Sequence, residues 1–494
     1  MADAAPHPVH VRNGTEPLLF EKSCPGNSAV SLPDFDTPPM DGAQVPAELL
    51  ADGPPPLPQI GELQLVRHYT RLSHRLFSID MQFYPLGRCT MKYNPRINER
   101  AAAMPGFATL HPLSADAMAQ GALQLLYELR CDLAEIAGLD EVSLQPCAGA
   151  HGELTGLITI LAYHRSRGED RPEVLTPDSA HGTNPASCTL CGRTAVPIRS
   201  NARGRVCLDD LRAKVNAQTA AMMITNPSTL GLFEEDIVRI AGILHAAGAL
   251  LYLDGANMNA IMGLTRPGDF GVDVMHFNTH KTFSTPHGGG GPGAGPIAVR
   301  KALAPFLPVP QVVRKADGTY AWDFDRPHSV GRVRSFTGQF AVLVRAYAYI
   351  RGLGNVGLRR AAETAVLSAN YLAARLKQKY ELPYPLPCMH EFVLSAARQK
   401  AAGASAMDIA KRLIDYDIHP PTTYFPMIVK EAMMIEPTET ESLAVLDRFA
   451  EVMLQIAAEA ERDPDALHAA PTHGFIRRAD VVRGDRKPNL RWRP

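Results

Sequence analysis

The chain has 494 residues, is 46% apolar and carries a formal net charge of −1. It is too long for one small core and too apolar for a disordered chain, and its length suggests about two to four domains. The near-zero charge balance excludes a global basic field that would draw in nucleic acid or an anionic membrane, leaving only local patches.

The N-terminus, MADAAPHPVHVRNG, has neither the apolar centre of a secretory signal nor the Arg- and Ser-rich pattern of a mitochondrial presequence. No stretch reaches the roughly 18 consecutive apolar residues of a membrane span. A cytoplasmic protein with reduced thiols is therefore expected. Residues 1–65 are rich in proline, as in SLPDFDTPPMDG and ADGPPPLPQIGE, and read as an extended arm. Helical spacing begins at Leu65. Between Ala115 and Ala137 it recurs at Leu123, Leu126, Leu129 and Leu133. Then the chain alternates. The apolar runs EVSLQP, EVLTP, AVPIRS, AAMMITN, ALLYLDG and VDVMHFN are separated by helix-like segments such as GELTGLITILAYHRSRG and EEDIVRIAGILHAAG. Such alternation predicts an α/β fold with a mostly parallel sheet flanked by helices and ligands beyond the carboxyl ends of the strands. The expected organisation is a large domain over 66–335, a smaller C-terminal α/β domain over 336–470 and a basic tail over 471–494. The eight cysteines are scattered. Cys188 and Cys191 form a lone CxxC and read as two small buried thiols. No metal site is expected.

The chemistry concentrates in ALLYLDGANMNAIMGLTRPGDFGVDVMHFNTHKTFSTPHGGGGPGAGP. Asp254 ends one apolar run and Lys281 follows the next. If those runs are neighbouring strands, the two side chains meet at one sheet edge. Pyridoxal phosphate needs that pair. A lysine amine condenses with its aldehyde, and a carboxylate beside the ring nitrogen favours the protonated ring. That ring is the electron sink for an α-carbanion. Asn278 and His280 flank the lysine as candidate donors to a phosphate or hydroxyl. Gly149 and Ala150, between a strand and a helix, offer backbone amides as a phosphate seat. His181, just after a strand, has a ring face suited to stacking on the pyridine, or is a hydrogen-bonded loop histidine. Thr225 and Asn226 are candidates for the ring hydroxyl, or form an Asn-Pro turn. The glycine run 288–291, with Gly293 and Gly295, is no nucleotide P-loop, because its Lys-Thr pair precedes the glycines. It reads as a mobile loop beside a site that admits a large partner, or as a surface hairpin.

The motifs FYPLGRCTMKYNPRIN, VSLQPCAGAHGELTGL, PDSAHGTNPAS, TNPSTLGLFEEDI, LYLDGANMNAI, HKTFSTPHGGGGPGAGP, CMHEFVLS, HPPTTYFPMIV and MIEPTETES extend the pattern over nearly the whole chain. In them the sequence resembles subunit 2 of the glycine cleavage system P-protein, the decarboxylating glycine dehydrogenase. The resemblance implies a fold-type I pyridoxal-phosphate enzyme with Lys281 as its Schiff-base lysine, Asp254 as the ring-nitrogen partner and His181 against the ring face. It implies glycine decarboxylation with transfer of the aminomethyl group to the lipoyl arm of H-protein. It also implies a separate subunit 1 and a heterotetramer of two of each, with the proline-rich arm a candidate for wrapping the partner. The family carries serine where Arg88 stands and glutamine where His151 stands, so local geometry at both places is open. Cys89 reads as structural. Two competing readings are kept. One is an aminotransferase-like or desulfurase-like enzyme clamping a substrate carboxylate through Arg332 or Arg334. The other is a scaffold subunit without cofactor, which the joint presence of Asp254 and Lys281 argues against.

Overall fold

A computed structural model describes residues 16–491 except 32, 35, 39–44, 54, 288–292, 385 and 386. The glycine run 288–291 thus lies outside the described residues. The chain divides into two compact units, one made of the N-terminal stretch through Met81 with Thr472 onward, the other of Gln82–Pro471. In the first unit the helix Glu62–Ser73 presents His68 and Arg71 to Glu16, 3.2 and 3.5 Å away, and Lys22 pairs with the same carboxylate. The guanidinium of Arg75 lies 4.4 Å from the centre of the Phe475 ring. A short helix, Val481–Arg486, forms within the stretch read as a basic tail.

The second unit is built on a seven-stranded sheet. Its strands are β1 (Glu141–Ser143), β2 (Glu173–Pro177), β3 (Thr194–Ile198), β4 (Thr219–Thr225), β5 (Leu250–Asp254), β6 (Val274–His276) and β7 (Ile297–Val299). Their order is β1-β7-β6-β5-β4-β2-β3. β7 runs antiparallel to both neighbours, and the other pairings are parallel. The six apolar runs seen in the sequence are β1 to β6. β4 is buried along its whole length, as a central strand covered on both faces must be. Alternation along β5 sends Leu251 and Leu253 into one core and Tyr252 into the other. On the first face the helix Gln120–Ala137 buries Leu129 and Leu133 completely, each worth roughly 2 kcal/mol of transfer free energy. On the second, the helix Gly149–Ser166 buries Leu157 and Ile160.

A hairpin, β8 (Gln311–Arg314) with β9 (Tyr320–Asp323), precedes the helix Phe340–Leu376. That helix is interrupted at Gly354, at φ 58° and ψ −174°, a backbone conformation that only glycine adopts without strain. Before the break Leu343, Ala346 and Ile350 pack into the large core; after it Ala369, Leu372 and Leu376 pack into a second one. The second core lies under an antiparallel sheet of β10 (Phe392–Ser395), β11 (Thr422–Thr423) and β12 (Ala432–Ile435), ordered β10-β12-β11. Its helix Ala406–Ile414 starts at a Ser405–Asp408 capping box. Among the described residues no helix is long and apolar enough to cross a membrane.

Candidate functional site

The sheet register delivers the two residues on which the sequence reading turned. Thr225 stands opposite Asp254 on β4 and β5, and β5 pairs with β6 through Leu253 and Met275. Five residues past β6 comes Lys281, in the one-turn helix Thr279–Thr282. Asp254 is buried to 1% exposure. Its Oδ1 accepts the Ala256 amide at 3.0 Å, and its Oδ2 accepts from Asn184 Nδ2 at 3.2 Å and Thr225 Oγ1 at 3.3 Å. His276 Nε2 lies 3.4 Å from Oδ1, and Arg88 Nη2 lies 3.6 Å from Oδ2. Burial alone would raise this carboxyl, but His276, Arg88, the Ala256 amide and Lys281 together hold it below the usual carboxylate range. His276 is itself pushed down to about 4 by burial. At neutral pH it meets Asp254 as a dipole, and Arg88 is the nearby cation that counts.

Lys281 is half-buried. Burial, then Arg88, push its amine down, against the opposite pull of Cys89, Asp254 and Glu436. A lysine lowered in this way is a nucleophile nearer to neutral pH. The short helix that carries it is pinned from below. The buried Lys92 ammonium donates to the Thr282 carbonyl at 3.0 Å and to Glu439 Oε1 at 2.7 Å.

The proposed phosphate seat is a real helix start. The helix Gly149–Ser166 opens after Ala148, so its first amides have no acceptor within the helix. Gly149 faces Asn278 so closely that a Cβ would fall 2.0 Å from Asn278 Oδ1. Gly295 is equally tight, with a Cβ falling 2.0 Å from the Ala148 carbonyl oxygen. His280 packs edge-on to His287 at 4.7 Å, and burial followed by His287 pushes it down to about 3. His151 turns its Nδ1 to the Cys147 amide at 3.2 Å, with Cys147 Sγ also 3.2 Å away. It feels the charge of Arg334, whose Nη1 is buried and has no hydrogen-bond partner among the described residues.

His181 Nδ1 lies 2.7 Å from Thr183 Oγ1, which donates to Glu153 Oε1 at 2.8 Å. Burial and Arg88 lower this imidazole. Glu153 is the residue that sequence reasoning passed over here. It is 4% exposed, raised first by burial and then by the Asp254 charge, and Asn184 Nδ2 bridges the two carboxylates at 3.0 and 3.2 Å. Its signal was spacing. Glu153 lies four residues after Gly149, on the same helix face as the phosphate seat.

Thr225, a candidate for the ring hydroxyl, donates its own hydroxyl to Asp254 Oδ2. Asn226 accepts the Glu234 amide on its side-chain oxygen at 2.9 Å, while its Nδ2 is buried with no hydrogen-bond partner among the described residues. Arg332 lies over the Phe324 ring at 5.1 Å. The guanidinium that does reach the Asp254 carboxylate is Arg88, whose backbone sits at φ 69°.

Comparison with known proteins places this geometry. A model of the aminotransferase class-V family matches residues 158–413, and one of the glycine dehydrogenase C-terminal domain matches 361–472. A probable glycine dehydrogenase (decarboxylating) subunit 2 of Halalkalibacterium halodurans is 55% identical over 483 residues, covering 97% of this chain and 99% of that protein. One of Listeria innocua is 54% identical over 480 residues, covering 97% and 98%. Among solved structures, a glycine decarboxylase (P-protein) of the glycine cleavage system in inhibitor-bound form superposes with a TM-score of 0.70 at 23% identity, over 84% of this chain and 94% of that one. A cysteine desulfurase of Thermococcus onnurineus NA1 gives 0.59 at 16% identity, over 77% and 95%. At these identities the two structures speak for the fold alone. That fold is the fold-type I architecture the resemblance implied, and its sheet is the mostly parallel one expected from the strand–helix alternation.

Proposed function

This chain belongs to the family of the decarboxylating glycine dehydrogenase, subunit 2, and from that premise we propose that it decarboxylates glycine and passes the aminomethyl group to the lipoyl arm of an H-protein, with carbon dioxide released. The observation that carries the reading is the buried, anionic Asp254 at the end of β5 beside the amine of Lys281, lowered by burial and Arg88. The donor set fits pyridoxal phosphate. Asp254 would face the ring nitrogen and Lys281 would hold the aldehyde carbon. His181 would lie against the ring. The Gly149 and Ala150 amides, with Asn278, His280 and Arg334 Nη1, which has no hydrogen-bond partner among the described residues, would receive the phosphate. When bound, the group supplies an electron sink for the pair left on the α-carbon by loss of the carboxylate.

The chain's own residues prepare that chemistry. Asn184 and Thr225 orient the Asp254 oxygens through their hydrogen bonds. The Ala256 amide and the Arg88 charge keep that carboxylate ionised in a dry site, so it stabilises a cation against it. Lys281, depressed, stores its nitrogen as the free base more readily than a solvated lysine. Glu153, raised by burial and then by the Asp254 charge, holds its proton to higher pH than an ordinary carboxyl, which eases the repulsion between the two carboxylates around Asn184. The partners in this reading are a subunit 1 and a lipoylated H-protein, in a heterotetramer of two of each subunit in the cytoplasm.

Borohydride reduction of the cofactor-loaded chain followed by peptide mapping tests the site. The modified residue is expected to be Lys281; modification at another lysine sinks the assignment. Lys281→Ala should abolish glycine–bicarbonate exchange measured with subunit 1 and H-protein, and exchange at the unmodified rate would refute the role.

A further inference from the structure

The small sheet brings a second titratable cluster to the same site, with no task in the account above. β10 and β12 are antiparallel with Phe392 opposite Ile435, so Glu391 and Glu436 stand one step beyond that pair at the same edge. They are 1% and 0% exposed, and together with His390 their ligand atoms lie within 4.8 Å of one another. The segment 87–90 ties them to Asp254. The Arg88 amide donates to Glu391 Oε2 at 3.0 Å, while its guanidinium reaches Asp254 at 3.6 Å. Thr90 Oγ1 donates to Glu436 Oε1 at 2.7 Å, and Asn257 Nδ2 donates to the same oxygen at 2.9 Å. Gly87 is seated so tightly on β12 that a Cβ would fall 2.3 Å from Met434 Cγ, and both Arg88 and Thr90 hold positive φ, 69° and 41°. Non-glycine residues keep such angles only where their surroundings impose them, and such places cluster at working sites.

Two carboxylates this close in a dry site do not both ionise. Their surroundings separate them. Glu436 Oε1 takes Thr90, Asn257 and, at 3.3 Å, Asn259, a set that favours the anion. Glu391 has the single Arg88 amide among the described residues. Burial and then the Glu436 charge push the Glu391 carboxyl up. Two observations show that the cluster is unfinished as it stands. Among the described residues Glu436 Oε2 is buried without a hydrogen-bond partner, and so are both ring nitrogens of His390. Burial, Arg88 and Lys281 push His390 down to about 3, so it does not compete for the proton. The Arg88 guanidinium also disfavours a divalent ion here, and a proton is the charge that fits.

We propose that Glu391 and Glu436 hold one proton between them, and that Glu391 gives it to the sulfur that leaves when the lipoyl disulfide takes the aminomethyl group. The inference rests on the function proposed above. In that step the electron pair left on the α-carbon forms a carbon–sulfur bond as the sulfur–sulfur bond breaks. The disulfide is reduced and the carbon oxidised, and the second sulfur departs as a thiolate. Glu391 converts it to a thiol and takes a proton back from solvent before the next turnover. One glycine zwitterion, one disulfide and one proton thus give carbon dioxide, one S-aminomethyl group carried as its ammonium form and one thiol.

Glu391→Gln keeps an oxygen for the Arg88 amide and removes the proton. In the cofactor-loaded chain with subunit 1 and lipoylated H-protein, its turnover should fall about a hundredfold or more, with glycine binding, read from cofactor absorbance, unchanged. The wild-type rate should fall as alkaline pH strips the proton, and this limb should be missing in the variant. Without cofactor, the infrared carboxylic-acid absorbance of the wild type at neutral pH should lose one component in Glu391→Gln, while that of Glu153 remains. The lost component should titrate away at lower pH in Glu436→Gln, because the repelling neighbour is gone. A Glu391→Gln enzyme with wild-type turnover, an unmoved alkaline limb or an unchanged infrared band overturns the proposal while leaving glycine decarboxylation standing. A wild type that does not decarboxylate glycine overturns both.

Discussion

Gly149→Ala tests the phosphate seat where the packing is tightest. The added methyl would lie 2.0 Å from Asn278 Oδ1, 2.7 Å from its Cγ and 2.8 Å from its Nδ2. Ordinary contact requires the Asn278 side chain to retreat by more than about 1 Å, and interiors at crystal-like density resist that. Asn278 is only 7% exposed and precedes the turn that carries Lys281, so it has little free space. Overpacking of this kind costs about 1–3 kcal/mol. The gain from replacing a helical glycine by alanine offsets at most about 1 kcal/mol. The expected net is therefore a loss of up to about 3 kcal/mol, with weaker pyridoxal-phosphate binding because the seat and the lysine turn move apart. Urea unfolding of the cofactor-free chain measures the first effect and fluorescence titration with the cofactor the second. Asn278→Ala in the same background should recover most of the stability, because it removes the atoms the methyl strikes, and the double-mutant cycle should show a coupling above about 0.5 kcal/mol. Wild-type stability and cofactor affinity in Gly149→Ala, or a cycle with no coupling, would refute the reasoning.

Lys92→Met leaves Glu439 unpaired, 10% exposed by side chain, and the Thr282 carbonyl without its donor. A loss of about 3–5 kcal/mol in urea unfolding is expected, most of it restored by adding Glu439→Gln; a loss under 1 kcal/mol would mean the ammonium is not holding the lysine turn. Asn184→Ala removes the bridge between Glu153 and Asp254 and should weaken cofactor binding by about tenfold, a hydrogen-bond-sized effect, whereas affinity within twofold of wild type would count against it. The capture of pyridoxal phosphate by the cofactor-free chain should rise with pH through a midpoint below that of an ordinary lysine, since burial and Arg88 lower Lys281. Arg88→Ser should shift that midpoint upward, and a downward or absent shift contradicts the charge argument. The same depression has a stability sign. The folded form binds this proton less tightly than the unfolded one, so this group's contribution grows as pH rises from the lowered pKa to the ordinary lysine value.

The sheet was legible because central parallel strands are buried on both faces and read as unbroken apolar runs. AAMMIT became β4, buried throughout, and the pairing of β5 with β6 followed from chain order. Asp254 and Lys281 were legible for the same reason, since neighbouring parallel strands end at one edge whatever their loops do. Arg88, Glu391 and Glu436 were not, because three segments distant in sequence meet only when the small sheet docks. No local periodicity encodes that meeting. Arg88 was noticed only as a departure from a resemblance that expects serine, with no sign of where its charge would go. The structure places it 3.6 Å from Asp254 while its amide serves Glu391. A single residue therefore sets the charge on both sides of the site. Its guanidinium favours the ionised Asp254 and the neutral Lys281, and it opposes the rise of Glu391 that burial drives. Replacing it with serine should move all three titrations together, Asp254, Glu391 and Lys281 each upward. Independent sites would not shift in concert, and the common direction follows from removing one buried positive charge.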